Sequence, residues 1–261
     1  MTVTTGMIPV DPSVFIGPYP FRDVPHPDPD ALLRVMDRER IARAWVGHLP
    51  GPFQPDSAAS NRELMARLAP HRERLEPAPT IRCGVAGWER TLDDAVAAGA
   101  AAIRVYPAHW RLASDDSALR ELAIAAGERK VPVVLTVRFE DLRQRQPDDT
   151  AGDLVPQVVR TLARAGPGVR LIVSAAGKDF IEEVHWGLTP EEQARVCWDI
   201  SWVWGPPEDH LAKLLRTIGA ARFVFGSQWP LRLVQSPVAN LELLPDDVAD
   251  ATLTNPSALF A

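Results

Sequence analysis

The chain is poor in cysteine, lysine and tyrosine, and it contains no long apolar run. Each shortage excludes something. Two cysteines, Cys83 and Cys197, build no disulfide framework, so a reducing, cytoplasmic setting is the expectation. No stretch approaches the ~20 consecutive apolar residues that cross a bilayer, and the first residues lack the charged-then-apolar layout of a secretory signal. Basic residues number 28 against 34 acidic ones, a net charge of −6. That leaves no positive field to condense on nucleic-acid phosphates. Neither nucleic acid nor membrane is an expected partner. Nearly all of the positive charge is arginine, with lysine only at Lys130, Lys178 and Lys213. Coding composition alone produces such a bias, so it says nothing about function.

What is present is a globular balance, 46% hydrophobic and 24% charged over 261 residues. That is enough for one large α/β domain spanning the chain. Short apolar runs alternate with amphipathic stretches. The runs 13–17, 43–48, 77–83, 101–106, 132–138, 169–175, 196–201 and 222–227 read as strands. Helices are expected from 28, over 61–75, through 92–99, over 117–129, 154–165, 190–196 and 208–218, and from 245. Eight strands about thirty residues apart, with helices between them, predict a single-domain (β/α)₈ TIM barrel. An open doubly wound sheet would want a glycine-rich phosphate loop after the first strand. Gly17-Pro18-Tyr19-Pro20 has the wrong chemistry for one. In a barrel, Cys83 and Cys197 fall on opposite strands, beyond the ~7 Å Cα separation a disulfide tolerates, so free thiols are expected.

Two strand ends carry a family resemblance. Val10-Asp11-Pro12-Ser13-Val14-Phe15-Ile16-Gly17 resembles the opening strand of the amidohydrolase superfamily, in its amidohydrolase-related, decarboxylase-like branch, where the stretch reads Asp-x-His-x-His-x-Gly. The run from Arg222 to Pro230, with Gly226-Ser227-Gln228-Trp229-Pro230 at its end, resembles that family's last strand, which ends Gly-Ser-Asp-x-Pro. The resemblance extends over essentially the whole chain. It implies a metal site, and the departures fall on that site. The two first-strand histidines are Ser13 and Phe15, the fifth-strand histidine is Thr136, the sixth-strand histidine is Ala175, and the last-strand aspartate is Gln228. Zinc or manganese needs several imidazole or anionic ligands converging on one point. These five positions supply none, and no His-x-His exists anywhere in the chain. No metal and no other cofactor is expected.

In this architecture the chemistry lies at the C-terminal ends of the strands. Alternation places Ala102, Arg104 and Tyr106 on one face of the fourth strand, and Thr136 and Arg138 on the inward face of the fifth. Two guanidiniums at a barrel mouth call for an anion, either an internal carboxylate (Glu140, Asp141 or Asp199) or a ligand carboxylate or phosphate. Arg104, Arg138 and Arg82 are therefore candidate ligands for a small anionic molecule, with Gln228, Trp202 and Tyr19 as further lining residues. The candidate acid–base groups are His48, which ends a strand, Asp199 and Tyr106. His109 and Glu140 also lie near strand ends, whereas His26, His71, His185 and His210 fall in loops or on helices. No Gly-x-Ser-x-Gly elbow supports a serine nucleophile. Trp110, Trp202, Trp204 and Trp229 follow strands, and with Tyr19 and Phe53 they form either an aromatic-walled pocket or a subunit interface. Three roles stay open. One is a metal-independent, hydrolase- or lyase-like enzyme acting on a small anionic substrate by acid–base catalysis. Another is an inactive homologue, self-associated or paired with a metal-competent sibling barrel. The last is a barrel that holds an anionic metabolite.

Overall fold

The computed structural model describes residues 6–25, 27–251 and 253–260, so His26 lies outside the described residues. The strands are β1 (Ile8–Ile16), β2 (Ile41–His48), β3 (Leu75–Pro77), β4 (Ile103–Val105), β5 (Val133–Thr136), β6 (Leu171–Ser174), β7 (Val196–Asp199) and β8 (Phe223–Val224). All pair in parallel with their sequence neighbours, in two arcs, β1-β2-β3 and β4-β5-β6-β7-β8. A single bridge between Thr80 and Arg104 joins the arcs on one side. On the other, the Phe15 amide donates to the Trp229 carbonyl at 2.8 Å. The order is that of a TIM barrel whose ladder is interrupted at these two seams.

The helices between the strands start where the sequence supplies caps. Asp28 and Asp56 accept from the backbone amides of Ala31 and Ala58, opening α1 (Pro29–Arg38) and α2 (Ser57–Leu68). α2 therefore begins earlier than the apolar periodicity suggests, and it ends ahead of Pro70, which cannot continue it. Next come α3 (Trp88–Ala97), α4 (Ser117–Glu128), α5 (Pro156–Ala163), α6 (Lys178–His185), α7 (Pro190–Gln193), α8 (His210–Thr217) and α9 (Gln235–Glu242). The short α6 was not foreseen. The helix expected from 245 is also displaced: α9 precedes that position, and beyond it only the 3₁₀ turn Pro256–Ala258 forms.

Alternation fills the barrel in layers. Val10, Trp45, Ala78, Ala102, Val134, Ile172, Cys197 and Val224, one from each strand or its immediate flank, form a separate buried apolar cluster at its base. Two residues further along most strands the same inward face turns polar, with Thr80, Arg104, Thr136, Ser174 and Asp199 all buried. Gly47 and Gly226 occupy this level for want of room. A Cβ on Gly47 would lie 2.5 Å from Arg104 Nε, and one on Gly226 would lie 2.6 Å from both Asp199 Cβ and Ser13 Oγ. Cys83 and Cys197 are free thiols. Among the described residues no helix is long and apolar enough to cross a membrane.

Candidate active site

The polar layer lies beneath an aromatic plug. Phe139, just past β5, is 2% exposed. Its ring centroid lies 5.6 Å from Phe15, 6.0 Å from Tyr19, 5.8 Å from Phe53, 5.5 Å from Tyr106 and 5.2 Å from His109. Phe21 completes the cluster against Tyr19 and Phe53. The rings cover the C-terminal mouth and cut the layer below off from solvent.

Within that layer, Asp199 Oδ1 accepts from the amides of Ala175 and Ser201 at 3.1 and 3.2 Å, and from Ser201 Oγ at 2.7 Å. Its Oδ2 has no partner, and neither do Thr136 Oγ1 or Ser174 Oγ. Asp11 Oδ1 accepts from the amides of Ser13 and Ser227. Burial, reinforced by the nearby Asp199 and opposed by hydrogen bonds from Ser227 and Ser13, pushes Asp11 up to about 6. Burial likewise pushes the Tyr106 hydroxyl up to about 12, against the pull of Arg104. Arg104 is wholly buried, and desolvation lowers its proton affinity.

The residues expected to act together divide between sites. Arg104, Tyr106 and Asp199 share the sealed layer. His48 does not join them: it continues the outward alternation from Gly47 and meets α2, with Nδ1 2.7 Å from Ser60 Oγ and Nε2 3.6 Å from Glu63. Burial holds His48 below the usual imidazole range. Tyr19 belongs to the plug, where burial and the nearby Glu140 raise its hydroxyl. Arg138 pairs with Asp153 at 2.7 Å instead of approaching Arg104. Gln228, at φ 58°, donates from Nε2 to the Arg138 carbonyl at 2.7 Å and accepts from Trp202 Nε1 at 2.5 Å.

Two clefts flank the plug. One, of about 310 Å³, is lined by Phe53, Arg82, His109, Trp110, Arg111 and Asp149 among others, and Arg82 lies 5.7 Å over Trp110. Burial drives His109 down to about 4, so the imidazole is neutral there. Asp148 and Asp149 line this cleft beside the two arginines, and Asp149 lies 3.9 Å from Arg145. The other, of about 320 Å³, is lined by Arg22, Glu140, Asp141, Arg143, Trp202, Trp204 and Arg232 with apolar neighbours. Here Arg22 pairs with Glu140 and Arg143 with Asp141, leaving one net positive charge on Arg232. Its guanidinium lies 4.3 Å from the Trp202 ring and 5.3 Å from Trp204, with no ion pair among the described residues. Sequence reasoning missed Arg232, which sits in the loop after β8 where no alternation reports on it. The available signal was the Trp-x-Trp pair after β7, facing that loop.

No family model and no curated protein matches the chain. Solved structures do. A dihydroxybenzoic acid decarboxylase from Polaromonas sp. JS666, with bound manganese and 2-nitroresorcinol, superposes with a TM-score of 0.67 at 14% identity over 98% of this chain and 94% of that one. An amidohydrolase II structure gives 0.69 at 15% identity over 97% and 99%. A TIM-barrel protein from Bordetella bronchiseptica gives 0.62 at 13% over 93% and 82%. At this identity the likeness is one of fold, and the chain shares the TIM-barrel fold of these structures. A divalent ion of the kind bound in the first does not suit the residues here. Ser13 and Phe15 hold the first-strand positions, the Phe15 ring lies 4.3 Å from the Arg104 guanidinium, and no three His, Cys, Asp or Glu side chains converge among the described residues.

Proposed function

We propose that this chain is a metal-independent amidohydrolase-fold barrel that binds a small monocarboxylate at its mouth, anchored by Arg232. The carrying observation is a guanidinium held between two indoles in a solvent-open cleft, with every other lining charge already paired. Stacking keeps the planar fork in place, and a carboxylate supplies two parallel acceptors for it. Binding is better supported than acid–base turnover. Asp199 and Tyr106 lie under the plug and His48 faces α2, so none of the three reaches this cleft. The carboxylates of Asp148 and Asp149 line the cleft beside Arg82 and repel an anion, which makes it the weaker site.

Isothermal titration with benzoate, 2,6-dihydroxybenzoate and inorganic phosphate tests the reading. A charge-assisted hydrogen-bond pair of about 1.5–3 kcal/mol corresponds to a tenfold to hundredfold loss of carboxylate affinity in Arg232→Gln. Equal affinity in the variant and the parent removes the proposal. Proton NMR of 2,6-dihydroxybenzoate incubated with the protein is expected to show no product; resorcinol formed by loss of CO2 and protonation of the ring carbon would restore the catalytic alternative.

A further inference from the structure

Arg104 does more than fill space. β1 and β2 pair with a register shift between Asp11 and Val14, at a point where Pro12 has no amide to donate. The Arg104 side chain reaches from β4 into that irregularity. Its Nη2 donates to the Pro12 carbonyl at 2.7 Å, to the Val14 carbonyl at 3.2 Å and to the Trp45 carbonyl on β2 at 3.1 Å. The Pro12 and Val14 carbonyls flank Ser13, and the guanidinium also stacks on Phe15, so it lies against the segment where the resemblance would put two histidines. After burial itself, the Tyr106 hydroxyl acts most strongly on the guanidinium, followed through space by the carboxylates of Asp11 and Asp199.

We propose that Arg104 is the resident cation of this barrel. It performs the two structural tasks of a central metal ion, drawing β1, β2 and β4 onto one positive centre and balancing the buried carboxylates Asp11 and Asp199. Gln228 supplies the matching neutral tie at the other arc, linking the Arg138 carbonyl beyond β5 to Trp202 beyond β7. A guanidinium differs from a metal in two respects. It cannot be chelated away, and it offers no open coordination position at which to activate water. The barrel centre is thereby stabilised without the chemistry a metal would bring. The inference is independent of ligand binding at Arg232.

Melting temperatures at pH 8 in the presence of EDTA test it, using Arg104→Met, Arg104→Lys, Asp11→Asn and the Arg104→Met/Asp11→Asn double variant. Removing one partner of a buried charge set should lower the melting point of Arg104→Met by about 10 °C. Arg104→Lys, which keeps the charge but loses the fork, should fall less. The double variant should recover about half of the loss, since the abandoned carboxylate is gone. Equal losses in Met and Lys with no recovery in the double variant would reduce Arg104 to a packing residue and overturn the proposal. Should both single variants fail to fold, a folded double variant supports it, and failure of all three overturns it.

Discussion

Phe139 is the perturbation that most directly tests how the mouth is closed. Its ring touches Phe15, Tyr19, Phe53, Tyr106 and His109, which come from the ends or following loops of β1, β2 and β4. Truncation to alanine removes a side chain that is 2% exposed, in a setting where no neighbour can slide in without breaking another ring pair. Deletions of buried phenylalanine cost about 3–5 kcal/mol, and the rigid surroundings place this one near 4. For a chain of this length that corresponds to a fall in melting temperature of about 12 °C, read by circular dichroism or calorimetry. Phe139→Leu, which retains most of the volume, should cost less than half as much. The alanine variant should also admit water to the polar layer and weaken any pH dependence that arises from the burial of Asp11. A loss below about 1 kcal/mol, with pH dependence intact, would refute the idea that these rings seal the barrel.

Two further expectations concern the sealed groups. Asp11 is raised from 3.8 to about 6, so its contribution is fully present below the unfolded value and is lost as pH rises through about 6, roughly 3 kcal/mol in all. His109 is lowered from 6.5 to about 4, so its contribution is present above the unfolded value and is lost as pH falls through about 4, by a similar amount. The two slopes oppose each other between pH 4 and 6. Relative to the parent, urea unfolding should fall more steeply toward acid in Asp11→Asn and less steeply in His109→Gln, on top of the acid-side loss that the other buried imidazoles, His48 and His185, contribute in all three; profiles parallel to the parent's in both variants would contradict the assignment. Adding manganese or zinc to EDTA-treated protein should move its melting point by less than about 1 °C, whereas a stabilisation that grows with metal concentration would show a site the residues do not suggest.

The repeating strand pattern was legible because each strand carries β-branched and apolar residues at a period the side-chain alternation enforces. The same period grouped Ala102 and Arg104: Ala102 belongs to the barrel-base cluster and Arg104 meets Gly47 in the layer above, whereas Ile103 and Val105 between and after them pack in the other core. Parity also held the answer for His48: Trp45 belongs to the apolar base and Gly47 faces Arg104, so the next residue must point outward to α2. The boundaries were less accessible. α6 (Lys178–His185) buries Ile181, Val184 and His185 but opens at Gly177 with no capping side chain to mark it, and the capping carboxylate of Asp56 rather than periodicity sets the start of α2. The placement of Arg138 turned on Asp153, fifteen positions along the chain in the loop ahead of α5, and Arg232 on indoles from another loop. Such loop-to-loop partners leave no periodic trace.

Arg104 and Arg232 are the same side chain without a direct ion pair among the described residues, and access to water gives the two opposite meanings. Under the plug, no ligand reaches Arg104, so its charge must be met from within by Asp11, Asp199 and the β1 and β2 carbonyls. Its removal is therefore felt in folding. Beside Trp202 and Trp204, the Arg232 guanidinium borders an open cleft whose other charges are spoken for. Arg232 is half-buried and burial lowers its proton affinity, so neutralising it removes a charge that folding partly desolvates; stability should change little, and the loss should appear instead in carboxylate affinity. The two substitutions thus separate along different axes: Arg104→Met in melting temperature with the mouth cleft intact, Arg232→Gln in binding with the barrel intact. A variant of Arg232 that unfolds the protein, or a variant of Arg104 that folds normally, would show that this division between sealed scaffold and open mouth is drawn in the wrong place.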